Sequence, residues 1–245
     1  MRNFKIIVEY DGAAYVGWQR QRNGVSVQQI LEEALGLITS GKVTLIGSGR
    51  TDAGVHAMNQ AANFKSATGL PVDKIFRGVN SVLPPDVVIK KLEEVPIDFH
   101  AQRDVRSKIY VYRICNQSLR PVLGRDYFWF IRYPLDLEKM REAAQALLGT
   151  HDFSCFCATG TDVKDRVRTL TGIDIETGPD GLINITVEAR GFLKYMVRNI
   201  VGTLTEVARG KREPREMREI IDSRNRNIAG VTAPARGLFL KEVIY

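Results

Sequence analysis

The chain has 245 residues, with 35 Lys+Arg against 28 Asp+Glu and a formal net charge of +7. A hydrophobic fraction of 44% and a charged fraction of 26% are ordinary for a folded globular protein and exclude disorder as the main state. Three cysteines are too few for a disulfide-stapled scaffold and suit a reducing compartment. No run approaches the ~18 consecutive apolar residues of a membrane span. Residues 1–12 mix Arg2, Lys5, Glu9 and Asp11, which is not a signal-peptide pattern. A soluble, cytoplasmic protein is expected.

Residues 3–10 alternate, with Phe4, Ile6, Val8 and Tyr10 on one face, and predict a strand. A polar, glycine-containing loop over 11–24 carries Trp18, Gln19, Arg20 and Arg22. Ser26 then opens a predicted helix. Gln29 completes the capping-box spacing, and Val27, Ile30, Leu31, Ala34, Leu35 and Ile38 keep helical period. A short strand over 43–46 leads into the loop 47–54, Gly-Ser-Gly-Arg-Thr-Asp-Ala-Gly, and 56–64 reads as another strand. Pro71 starts a helix with Val72, Ile75, Phe76 and Val79 inward, and Pro84-Pro85 ends it before a strand over 86–92. This is the split βαββαβ order, with helices on one face of an antiparallel or mixed sheet.

The second half opens with predicted strands over 105–115 and 127–133. Asp136 caps a helix running to Leu148, with Gly149 as its stop. Strands over 166–176 and 182–189 flank a turn at 178–181. A helix over 194–209 has the stripe Val197, Ile200, Val201, Leu204 and Val207. A shorter helix begins at Pro214, and a strand over 237–244 closes the chain. The two halves share an element order without a sequence repeat at fixed period. The fold class expected is α+β: two pseudo-symmetric βαββαβ-like halves, 1–103 and 104–245, forming a continuous mixed or antiparallel sheet with a central active-site cleft. The first half carries 12 basic and 10 acidic side chains, the second 23 and 18. Much of that excess is arginine, whose planar fork suits phosphates and base edges. A solvated surface with no polyanionic partner would look the same by charge alone.

Loop 47–54 places three glycines, Arg50 and Asp52 between two apolar strands. No Lys-Ser/Thr follows the last glycine, so it is not a Walker loop, and it joins strand to strand, so it is not a dinucleotide fingerprint. One reading is a glycine-rich turn with a local Arg–Asp pair. The other is an ionised aspartate serving as nucleophile or anchor where a ligand's backbone comes close. His56, His100 and His151 with Cys115, Cys155 and Cys157 lack metal-ligand spacing, so no metal is expected. Tyr110 and Tyr112, following Lys108, read either as core aromatics or as a stacking platform for a splayed base. Arg198 lies off the apolar stripe beside Lys194, on a solvated face or facing a phosphate or carboxylate.

The run 47–57, ending Val-His-Ala, resembles the TruA family of tRNA pseudouridine synthases. The resemblance continues at Tyr10-Asp11-Gly12, Gly17-Trp18-Gln19, Lys108-Ile109-Tyr110, His151-Asp152-Phe153-Ser154, at 192–199 and at 233–238. It implies cofactor-free isomerisation of uridine to pseudouridine at positions 38, 39 and 40 of the tRNA anticodon stem-loop, by a homodimer whose active cleft lies between two α+β halves. Asp52 matches the catalytic aspartate, which attacks either the uracil ring or the ribose C1′. Tyr110 matches the tyrosine stacked on the target uracil. Arg50 matches the arginine that pairs with the aspartate and fills the space of the flipped nucleotide. Leu238 matches an apolar contact to the uracil, and Arg198 a basic partner near the aspartate. The loop with Trp18, Gln19, Arg20 and Arg22 is a candidate RNA-gripping finger, and the arginine-rich second half a candidate phosphate track. A non-catalytic RNA-binding module would account for the charge and aromatics but not for the acidic loop; a small-molecule enzyme would leave the basic surplus unexplained.

Overall fold

Alternation along the opening residues produces a strand whose Phe4, Ile6 and Val8 are fully buried, and the chain continues as the periodicities direct. The computed structural model describes residues 1–245. In order the elements are β1 (Arg2–Tyr10), α1 (Val27–Thr39), β2 (Ile46–Gly47), β3 (His56–Ser66), α2 (Val72–Val82), β4 (Val87–Val95), β5 (Ser107–Asn116), β6 (Trp129–Ile131), α3 (Leu137–Gln145), β7 (Gly149–Asp152), β8 (Val167–Thr177), β9 (Ile183–Ala189), α4 (Met196–Ala208), α5 (Glu216–Ser223) and β10 (Leu238–Ile244). The α+β class is therefore met. The chain divides into two units, Met1–Arg106 with Phe239–Tyr245, and Ser107–Leu238.

In the first unit the strand order is β4-β1-β3-β10, with β2 on β3. β1 runs antiparallel to β3 and β4, while β10 is parallel to β3 and sets Phe239 opposite His56. The closing strand thus belongs with the N-terminal residues rather than with the second half in which sequence order places it. Ser26 Oγ accepts the Gln29 amide at 3.2 Å, capping α1. Only half of the capping box forms, because the Gln29 side chain donates to Glu33 instead. The strand expected over 43–46 shrinks to Ile46–Gly47. Val43 and Leu45 are buried, but the backbone of Leu45 is satisfied by side chains of α1: Glu32 Oε1 takes its N–H and Gln28 Nε2 donates to its carbonyl, each at 3.0 Å.

The second unit orders its strands β5-β9-β8-β7, all antiparallel, with β6 parallel to β5. The strand expected over 127–133 is only three residues long, since a 3-10 turn occupies Arg125–Tyr127. Beyond it, Asn116 Nδ2 holds the carbonyls of Ile131 and Tyr133. Asp136 caps α3 through the amides of Glu138 and Lys139. The helix stops at Gln145, short of the expected end, because the next three amides reach back only three residues. Gly149 then opens β7, an edge strand not anticipated. The predicted apolar stripe of α4 is buried throughout.

Candidate active site

Asp52 sits on the connection from β2 to β3, and the backbone on either side of it is fixed. Ser48 N–H donates to Ala61 O at 2.8 Å and Ser48 Oγ to Gln60 Oε1 at 2.6 Å, while Gln60 Nε2 donates to Gly49 O. Thr51 is held twice: its hydroxyl lies 2.8 Å from the Tyr10 hydroxyl, and its carbonyl accepts the Trp18 amide at 3.2 Å. Val55 N–H closes a turn onto Asp52 O. Backbone bonded at Ser48, Gly49, Thr51 and Val55 makes a rigid mount, and Asp52 itself is half-buried. Arg50 is exposed and takes part in no ion pair, so the Arg–Asp pair implied by the resemblance is not formed; the guanidinium is left to solvent.

The loop 11–24 packs against this mount. Gly17 has φ +105°, and a Cβ there would lie 2.5 Å from Thr51 O, so only glycine brings the two backbones together. Trp18 is 1% exposed, with its indole over Gly47 and its ring centroid 6.1 Å from that of Tyr10. This corrects the expectation that Trp18 grips RNA: its ring is core, and burying it stabilises the loop. Gln19 donates to Gln28 Oε1. Arg20 pairs with Glu33 at 3.0 Å, yet its side chain stays 49% exposed. Arg22 is exposed and makes no ion pair. His56, at the start of β3, is buried and stacks on Phe239 with centroids 4.7 Å apart. Its Nδ1 lies 3.0 Å from Asp11 Oδ1 and 3.1 Å from the Gly12 amide. One nitrogen serves only one of these at a time, as donor to Asp11 or acceptor from Gly12, and in either case the ring locks the 11–12 turn.

In the second unit Tyr110 stands on β5 opposite Val187, 7% exposed and edge-on to Phe192 at 5.1 Å. Lys108, two residues along and so on the same face, has its pKa lowered to about 8 by burial. Tyr112 is wholly buried and donates to Pro234 O at 2.8 Å; burial pushes its hydroxyl pKa up. Arg198 on α4 exchanges two bonds with one residue: its Nε donates to Ala233 O at 2.8 Å and its carbonyl accepts the Ala233 amide. Its guanidinium lies over the Tyr195 ring, whose residue adopts φ 64°. Leu238, 5% exposed, follows the 3-10 turn Ala235–Gly237, and Gly237 backs onto the Tyr112 ring. Arg198, Tyr112 and the segment ending at Leu238 are therefore one assembly.

Two residues that hold these groups were not singled out from sequence. Asn199, fully buried, donates to Phe156 O and accepts from Arg226 Nη2 and the Thr232 hydroxyl, fastening the 226–233 segment to α4. The only signal was an amide within a helix whose neighbours are apolar. Gln28, beside the cap of α1, is the other. All three cysteines are buried thiols; burial raises Cys155 to about 12, which keeps it protonated and unreactive. No three His, Cys, Asp or Glu side chains group as a metal site, and no helix is long and apolar enough to cross a membrane.

A family model described as tRNA pseudouridine synthase matches residues 6–104 and 143–245. The chain belongs to the tRNA pseudouridine synthase family. Relatives named tRNA pseudouridine synthase A are 47% identical in Thermoanaerobacter sp. (strain X514), 46% in Acetivibrio thermocellus and 44% in Brevibacillus brevis, each over the full length of both chains. As a member of this family the protein is an isomerase acting on uridine in tRNA. Asp52, Arg198 and Leu238 fall within the matched segments, and Tyr110 in the stretch between them.

Proposed function

We propose that the enzyme converts uridine to pseudouridine at positions 38, 39 and 40 of the tRNA anticodon stem-loop, with Asp52 as the nucleophile. The observation that carries this reading is the Asp52 loop: a half-buried carboxylate on a backbone bonded at Ser48, Thr51 and Val55. Such a mount fixes a nucleophile against a substrate without cost of reorganisation. In the reaction the N1–C1′ bond breaks, C5 bonds to C1′, the proton leaves C5 and N1 gains one, so no redox change is needed. Tyr110 is assigned the stack on the target uracil, Leu238 an apolar contact to it, and Arg198 a basic role near the aspartate.

Exposed Arg50 would occupy the gap left in the stem by the extruded nucleotide, whose unstacking costs roughly a few kcal/mol. Arg20 and Arg22 are assigned contacts to the RNA backbone, Gln19 and Trp18 their support. The resemblance also supports a homodimer, which sedimentation at micromolar concentration would test. The decisive assay is tritium release from [5-³H]uridine-labelled tRNA. Wild type should release tritium from the anticodon arm with no added metal, and Asp52→Asn should bind tRNA within several-fold of wild type while releasing none. An active Asp52→Asn enzyme would overturn the assignment. A steep loss of tRNA affinity between low and moderate salt is expected for phosphate contacts.

A further inference from the structure

The amide of Gln28 lies 7% exposed in the second position of α1 and uses all of its bonding capacity. Its Oε1 accepts from Gln19 Nε2 at 2.7 Å and from the Arg20 amide at 2.9 Å. Its Nε2 donates to Leu45 O and to Glu32 Oε1, both at 3.0 Å. Four bonds from one primary amide is its full complement. Glu32, one turn on, accepts the Leu45 amide with the same oxygen.

These bonds join three pieces of chain that sequence keeps apart. On one side is the segment 17–20, whose carbonyls at Gly17 and Trp18 also take the first free amides of α1, those of Val27 and Gln28. On the other is Leu45, immediately before β2 and the Asp52 loop. The 17–20 segment meets that loop directly through the Trp18 amide and Thr51 carbonyl. A rigid helix end therefore sets both the RNA-contacting arm and the root of the catalytic loop through one side chain.

We infer that Gln28 is a positioning residue for the isomerisation: its carbonyl oxygen holds the arginine arm at 20–22 in register for RNA, and its NH₂ group holds the root of the Asp52 loop. The inference rests on the RNA-arm reading given above. The two halves of the amide separate by substitution. Gln28→Glu keeps both acceptor bonds but loses both donors and places a second carboxylate 3.0 Å from that of Glu32. Gln28→Met loses all four bonds at similar volume.

Steady-state tritium release should show kcat reduced about tenfold in Gln28→Glu, with KM for tRNA within about threefold of wild type. In Gln28→Met, KM should rise about tenfold as well. The double variant Gln28→Glu/Glu32→Gln restores a carboxylate–amide pair beside Leu45 and should recover most of kcat. Partial unfolding lowers the active fraction and hence apparent kcat alone, so it leaves KM at the wild-type value in every variant. A wild-type KM in Gln28→Met, or no recovery in the double variant, would overturn the inference. Arg20→Gln/Arg22→Gln tests the underlying reading separately. If that variant keeps the wild-type KM while Gln28→Met does not, the arginine arm is wrong, and of the positioning role only the hold on the root of the Asp52 loop stands.

Discussion

The Asp52 loop and the segment running from Arg226 to Leu238 are both irregular chain pressed against regular elements, but different chemistry holds them. Around Asp52 backbone-to-backbone bonds at Ser48, Thr51 and Val55 stand beside side-chain bonds from Ser48, Gln60 and Tyr10, with Gly17 allowing the approach and Trp18 filling the space beneath. Around Arg198 a polar side-chain cluster does the fastening: Asn199, Thr203, Arg226 and Thr232, with Gly202 so close to Val231 O that no side chain fits. The first arrangement tolerates change at Arg50, whose exposed side chain makes no ion pair. The second depends on each polar partner, since losing one leaves others buried and unsatisfied. A loop held largely through its backbone can keep an exposed side chain such as Arg50 for contacts outside the fold.

The comparison can be broken most sharply at Asp52. Asp52→Asn should lower tritium release more than ~1,000-fold while shifting the thermal midpoint by no more than a degree or two; a large loss of stability would show that the carboxylate is part of the mount. Gly17→Ala strains a positive φ and drives a methyl into the Thr51 carbonyl, so urea denaturation should show a loss of ~2–4 kcal/mol. A cost under half a kcal/mol would mean the two backbones are not held together as described. In the second region Asn199→Leu should cost ~2–3 kcal/mol, and Thr203→Val, which removes the bond to the Gly230 amide, less.

Lys108 offers a smaller lever on β5. Its folded pKa is about 8 and its ordinary value 10.5. Below pH 8 both states carry the proton and burial penalises the folded one. Between 8 and 10.5 the folded state has shed a proton that the unfolded chain still binds, so stability rises with pH. Against Lys108→Met, the wild type should therefore gain ~2 kcal/mol in relative stability between about pH 7.5 and 9.5. Equal differences at the two pH values would refute burial as the cause. Last, Ser26→Ala removes the single side-chain cap of α1 and should cost ~1 kcal/mol.

Much of this was legible from pattern. The strand of β1, the stripe of α4 and the caps at Ser26 and Asp136 lie where alternation, helical period and capping chemistry put them, because each is decided within a few neighbouring residues. The extended segment before the Asp52 loop was not legible at full length, since Gln28 and Glu32 supply the partners a strand would have. A tryptophan at position 18, in a polar loop, reads as exposed, and only its packing over Gly47 makes it core.

By itself the sequence determined the α+β class, the family and the residue types at Asp52, Tyr110, Arg198 and Leu238: local periodicity and an unbroken motif suffice for these. Only the tertiary structure decided that β10 pairs with β3, that Arg50 stands free of Asp52, and that Gln28 and Asn199 carry the supporting bonds. Those outcomes depend on contacts between residues far apart in the chain. Such contacts form only where backbone groups left unsatisfied by one element meet a partner from another, and no spacing along the sequence encodes that meeting.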